Sequence, residues 1–141
     1  MSYVFTKDVD GMDVDAVHAY LTRSYWATGI SKDLVRKSMG NSLCYAVLKG
    51  ADLVGFARVI TDQSTFAYLV DVFVLEEHRG LGLGVQLMEF VLSDPRLQGL
   101  RRFVLATRDA HGLYSRFGFQ PLGAPDRFME INQAGLYLRQ V

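Results

Sequence analysis

A single cysteine among 141 residues excludes an internal disulfide. Cys44 lies inside an apolar strand pattern, so it is read as a buried structural thiol rather than a covalent nucleophile. Net charge is missing as well. Fifteen basic residues balance fifteen acidic ones, so no global field steers the chain to nucleic acid or a membrane surface, and any anionic ligand must be held locally. The three histidines, His18, His78 and His111, lack the clustered or i, i+4 spacing of metal ligands, and no metal is expected. No run approaches the ~18 apolar residues of a membrane span, and Met-Ser-Tyr-Val-Phe-Thr-Lys-Asp lacks the basic-then-apolar start of a secretory signal. A cytoplasmic location follows as the expectation. Repeats, low-complexity stretches and linkers are also absent, and the length suits a single domain over 1–141.

What is present centres on Asp71 to Leu92. Residues 65–74 form an apolar, aromatic and β-branched run, whereas Val85, Leu87, Met88, Val91 and Leu92 recur at helical spacing. Between them lies His-Arg-Gly-Leu-Gly-Leu-Gly. Strand, glycine loop and helix in that order place unpaired N–H groups at a helix N-terminus, where the macrodipole favours an anion and missing Cβ atoms permit close approach. The segment reads as a phosphate or pyrophosphate cradle. It is not a nucleotide P-loop, because no Lys-Ser or Lys-Thr follows Gly80, Gly82 or Gly84. The dinucleotide fingerprint fails too, since Leu83 and Leu87 stand where it needs a small residue.

The remaining elements are read in chain order. Tyr3 to Thr6 is a short strand. Asp13 caps a helix with the apolar face Val14, Val17, Leu21 and Tyr25, and Ser31 caps a second carrying Leu34, Val35 and Met39. Strands 42–48, 53–60 and 66–74 form an antiparallel meander, with Lys49-Gly50-Ala51-Asp52 as the first link. Ser93-Asp94-Pro95 stops the helix that follows, and 102–107 returns as a parallel strand. Short strands at 119–122 and 128–131 complete the sheet, and residues 132–141 are read as a short helix or a terminal strand.

Arg79-x-x-Gly82-x-Gly84 after Val-Phe-Val resembles the Arg/Gln-x-x-Gly-x-Gly/Ala loop of the GNAT superfamily of N-acetyltransferases. About thirty residues on, Ala110-His-Gly-Leu-Tyr114 followed by Gly118-Phe119 is similar to the second cofactor segment of that family. The resemblance implies an α/β fold with a central mixed sheet of six to seven strands flanked by about four helices. It implies acetyl-CoA as cofactor, held by Val72, Phe73, Val74, Arg79, Gly80, Leu81, Gly82, Leu83 and Gly84, with Thr107, Ala110 and Tyr114 along its arm. Thr107 departs from the family asparagine that bonds the pantetheine. Acetyl transfer to a primary amine is implied, with a small-molecule acceptor expected from a neutral chain and homodimer formation left open. A protein lysine or N-terminus is an alternative acceptor, and a CoA-sensing module without catalysis is an alternative function.

Transfer from a thioester to an amine needs a base, an oxyanion donor and an acid for the thiolate. The resemblance puts the oxyanion donor at the Val72 N–H and the acid at Tyr114, whose phenol is protonated at neutral pH. The other reading of Tyr114 is an ordinary packed aromatic beside Leu113 and Phe117. Asp71 is the only carboxylate inside the central strand. It either anchors or deprotonates the amine, or it buttresses Arg58 from the sheet. Tyr25 and Trp26, between the first two helices, stand where the family builds a wall of the acceptor pocket, and core aromatics remain the alternative.

Overall fold

The computed structural model describes residues 2–139. Met1, Gln140 and Val141, which end the expected domain and its terminal element, lie outside the described residues. Five strands form one sheet in the order β1 (Tyr3–Thr6), β2 (Leu43–Lys49), β3 (Asp52–Thr61), β4 (Phe66–Val74) and β5 (Arg102–Leu105). The first three pairings are antiparallel, and β4 with β5 is parallel. The helix α3 (Leu83–Leu92) makes the crossover that a parallel pair requires. The helices α1 (Val14–Leu21) and α2 (Lys32–Gly40) precede β2, and α4 (His111–Ser115) follows β5.

Both expected helix caps are present. The Asp13 side chain accepts the Ala16 N–H, and the Ser31 hydroxyl accepts the Leu34 N–H. Strand alternation divides the apolar residues between two cores. Tyr45, Val47, Val59 and Leu69 face α3 and α4, whereas Cys44, Ala46, Phe56 and Phe73 face α1 and α2. Cys44 is buried as expected, and burial pushes its thiol up to about 11.

Four expectations need correction. The mixed α/β class with four helices holds, but the sheet has five strands among the described residues, not six to seven. Residues 119–122 and 128–131 join no ladder. Pro125 opens a 3-10 turn at Pro125–Arg127, and Met129 and Ile131 are each 96 % exposed, so the alternating pattern there has no face to bury. The first helix stops at Leu21, so Tyr25 is not on its core face. The crossover helix begins at Leu83, two residues before its apolar pattern, because Gly82 caps it in the left-handed conformation at φ 80°.

Asp94 fixes the crossover from beneath. Its carboxylate, 1 % exposed as a residue, accepts the Tyr45 hydroxyl at 2.7 Å and the Arg96 guanidinium at 2.7 Å, and it caps the turn Pro95–Leu97. Burial alone would raise the carboxyl. Hydrogen bonds from Arg96 and Tyr45 overturn that and hold it below the usual range. A folded pKa depressed in this way contributes stability that is full above the unfolded value of about 3.9 and is lost as pH falls toward the folded one. Tyr45→Phe, which removes one donor and keeps the ring, is expected to lower unfolding free energy by about 1–2 kcal/mol at neutral pH. Urea denaturation followed from neutral pH into acid should show this difference shrinking once Asp94 protonates.

Candidate active site

The site forms where β4 leaves β5. Their ladder ends at Leu69↔Leu105, so among the described residues Val70 to Val74 has no partner on the β5 side. On the β3 side the register passes from Arg58↔Val70 to Phe56↔Phe73, leaving Asp71 and Val72 opposite the single Ala57. That is a β-bulge, which bends the strand away from its neighbour. Its first residue, Asp71, takes φ 55°, a left-handed conformation that Asp tolerates better than most side chains. Two bonds hold it there. Arg58 Nε donates to Oδ2 at 2.8 Å, and Trp26 Nε1 donates to Oδ1 at 2.8 Å. Arg58 also donates to the Ser42 hydroxyl. Of its two sequence readings, Asp71 has the buttressing geometry, with the ion pair largely shielded from water.

Beyond Val74 the chain turns through Glu76–His78 into the glycine loop. Gly80 and Gly82 have φ 79° and 80°, and a Cβ on either would meet nothing within 4 Å, so backbone conformation rather than crowding demands glycine there. From Gly80 to Val85 the backbone N–H groups find no acceptor among the described residues. A row of free donors at the head of a ten-residue helix fits the diphosphate of a nucleotide-like ligand. Other groups expected to hold the cofactor behave differently. The Arg79 guanidinium turns back to the Val74 carbonyl at 2.9 Å and the Tyr20 hydroxyl at 3.0 Å. The Ala110 N–H is taken by the Thr107 hydroxyl at 3.0 Å, but that hydroxyl keeps its own proton to donate.

Tyr114 sits on α4, 8 % exposed, with its ring edge-on to Phe119. Its hydroxyl has no hydrogen-bond partner among the described residues, yet no fully buried side-chain oxygen lacks one there, so this oxygen retains access to solvent. Burial raises its pKa, and the nearby Tyr25 phenol adds to the rise. The group therefore stays protonated at neutral pH.

Tyr25 and Trp26 are not core residues, at 54 % and 40 % exposed. Their rings meet edge-on at 5.0 Å and line, together with Thr28 and residues 131–138, a cleft of about 470 Å³. Arg23 and Glu76 clamp this aromatic loop to the turn before the glycines through two bonds of 2.7 and 2.8 Å. The sequence reading missed three contributors. Tyr20 stacks on Phe73 at 4.1 Å, the Arg108 guanidinium lies 3.9 Å over the Tyr25 ring, and the C-terminal segment forms a wall. None has a local signature, since each matters through a partner distant in sequence. The histidines are dispersed. His18 bonds the Ile30 carbonyl, His78 bonds Tyr3, and His111 is exposed; the described residues hold no cluster of three metal-ligating side chains.

The model of the acetyltransferase (GNAT) family matches residues 14–119. A crystal structure of a GNAT-family protein from Xanthomonas campestris is 46 % identical, with a TM-score of 0.94 over 97 % of both chains. "Putative acetyltransferase FG08082" of Gibberella zeae is 29 % identical over 137 residues, 81 % of this chain and 76 % of that protein. A Clostridium acetobutylicum protein solved with acetyl-CoA shares the fold, with a TM-score of 0.66 at 16 % identity over 93 % of this chain and 95 % of its own.

The bulge clamp makes a stability prediction. Asp71→Ala strands the Arg58 charge and puts a β-carbon without a polar partner at φ 55°, and it should cost about 2–4 kcal/mol. Asp71→Asn keeps an acceptor for Trp26 and the tolerance for that conformation, so it should cost about half as much. Equal losses in urea denaturation would mean that the clamp contributes only through charge.

Proposed function

This chain belongs to the GNAT family of acetyltransferases, and on that premise we propose that it transfers an acetyl group from acetyl-CoA directly to a primary amine of a small molecule. The observation that carries the reading is the row of unpaired N–H groups from Gly80 to Val85, set where β4 has lost its β5 partner. Those donors suit a pyrophosphate, and the open edge of Val72 to Val74 suits an amide-bearing arm running alongside as an added strand. The free Thr107 proton is a further donor for that arm. Bound there, acetyl-CoA supplies an electrophilic thioester carbon and a thiolate leaving group.

Roles for the chain's own groups follow from their surroundings. The Val72 N–H, on the bulge, is the donor to the carbonyl oxygen. The Tyr114 hydroxyl, protonated and unpaired, gives its proton to the departing sulfur. Asp71 is a positioning residue in this proposal. Both of its oxygens already accept bonds from Arg58 and Trp26, so it fixes the bulge and the aromatic loop while the amine's proton passes to water. Tyr25 and Trp26 form the wall that receives the acceptor. No helix among the described residues is long and apolar enough to cross a membrane, and the proposed setting is the cytoplasm with residues 2–139 acting as one domain.

Two measurements test the reading. Acetyl-CoA at a hundredfold excess over its Kd should stabilise the fold by about 2.7 kcal/mol, seen as a thermal shift that ATP and NAD do not produce. No shift with acetyl-CoA would remove the basis of the proposal. Tyr114→Phe should leave melting temperature and CoA affinity nearly unchanged but slow single-turnover transfer by roughly 10²- to 10⁴-fold. Transfer at the normal rate would return Tyr114 to a packing role.

A further inference from the structure

Arg108 lies in the loop between β5 and α4, with its guanidinium carbon 3.9 Å from the centre of the Tyr25 ring. Among the described residues it takes part in no ion pair. Carboxylates near the aromatic loop are otherwise engaged, Glu76 with Arg23 and Asp71 with Arg58 and Trp26, and the neighbouring Asp109 does not pair with it. The cleft that Tyr25 and Trp26 line with residues 131–138 has no acidic side chain; Arg108 stands outside that lining and meets the aromatic loop at the Tyr25 ring. The Arg108 guanidinium is therefore left without an ion-pair partner among the described residues, although Asp109 follows it in sequence.

The geometry of that cation is specific. A cation over a ring face uses no N–H group, and the Arg108 guanidinium makes no side-chain hydrogen bond among the described residues, so its planar set of donors remains unspent. Ring contact also restrains the long side chain, reducing the entropy a ligand must remove to engage it. The same Tyr25 ring is close enough to Tyr114 to influence its phenol, so Arg108, Tyr25 and the free Tyr114 hydroxyl belong to one neighbourhood.

We propose that Arg108 is the anion-binding residue of the acceptor pocket, and that the acceptor is an amine bearing a carboxylate or a phosphate. The inference takes the word acceptor from the acetyl-transfer reading above; the anion site itself stands on Arg108 and Tyr25. It also suits the chemistry. A nearby fixed cation disfavours the ammonium form of an amine and favours the neutral nucleophile, and it repels a polycation.

Trp26 is the only tryptophan in the chain, and its indole lies at this site, so its fluorescence reports binding without turnover. With CoA saturating the glycine loop, phenylacetate, phenyl phosphate and benzylamine are titrated at constant ionic strength. At least one anion should perturb Trp26, and the tighter of the two identifies which oxyanion is preferred. Arg108→Gln should weaken that binding about 10- to 100-fold, the scale of one or two charge-assisted hydrogen bonds, with Arg108→Lys between. Tighter binding of benzylamine, no response to either anion, or equal anion binding by Arg108→Gln would each overturn the proposal. Arg108 and Tyr25 are exposed, so these variants are expected to fold. A second arm compares amino acids and amino-sugar phosphates with their amide and dephosphorylated counterparts in CoA release. Preference for the anionic member should collapse in Arg108→Gln. Silence of every amine, with the fluorescence result intact, would count against acetyl transfer and leave the anion site standing.

Discussion

The separation of β4 from β5 at Leu69 depends on one clamp: a left-handed aspartate whose two carboxylate oxygens are held by Arg58 and the Trp26 indole. A strand in register with both neighbours would spend every backbone N–H and C=O on its ladders. Placing Asp71 and Val72 opposite Ala57 bends β4 and leaves Val70 to Val74 without a β5 partner. An unpaired edge inside a sheet is costly unless something pairs with it, which is why the proposed cofactor arm is placed there. Arg58 reaches the clamp from β3 and Trp26 from the loop after α1, and thus the sheet and the aromatic wall are tied to the same carboxylate.

The glycine loop extends that surface. Left-handed Gly80 and Gly82 carry the chain into α3 without a side-chain cap, and the N–H groups from Gly80 to Val85 remain available. The loop is held from outside. Arg23 grips Glu76 with a two-bond fork that keeps the Glu76 carboxyl down at about 2, and Arg79 ties the loop to Val74 and Tyr20. Arg79 thus braces the loop in this structure. Its guanidinium has already found a carbonyl and a phenol.

On the acceptor side the balance of charge is informative. The one strand aspartate here is neutralised by Arg58, and Arg108 places a cation over Tyr25. Tyr114, raised by burial and close to Tyr25, belongs to the same face. Under the proposal above, aromatic rings, a guanidinium and an unpaired phenol would suit a small zwitterionic or anionic amine more than a basic peptide.

Much of this protein was legible in the amino-acid order because the signals are local. Asp13 and Ser31 as caps, the strand meander, the burial of Cys44 and the strand, glycine loop and helix of residues 65–92 each depend on neighbours a few residues away. The alternation at 119–122 and 128–131 misled, because a period of two describes a strand only when a ladder and a buried face await it; here a 3-10 turn intervenes and Met129 and Ile131 face water. Sequence alone determined the class of fold and the order of strand, glycine loop and helix at residues 65–92. Only tertiary structure decided that Asp71 is clamped, that Arg79 braces the loop, and that Arg108, absent from every motif, stands over Tyr25. Those roles depend on which side chains meet across 45, 59 and 83 positions of chain, and packing settles such meetings where spacing cannot.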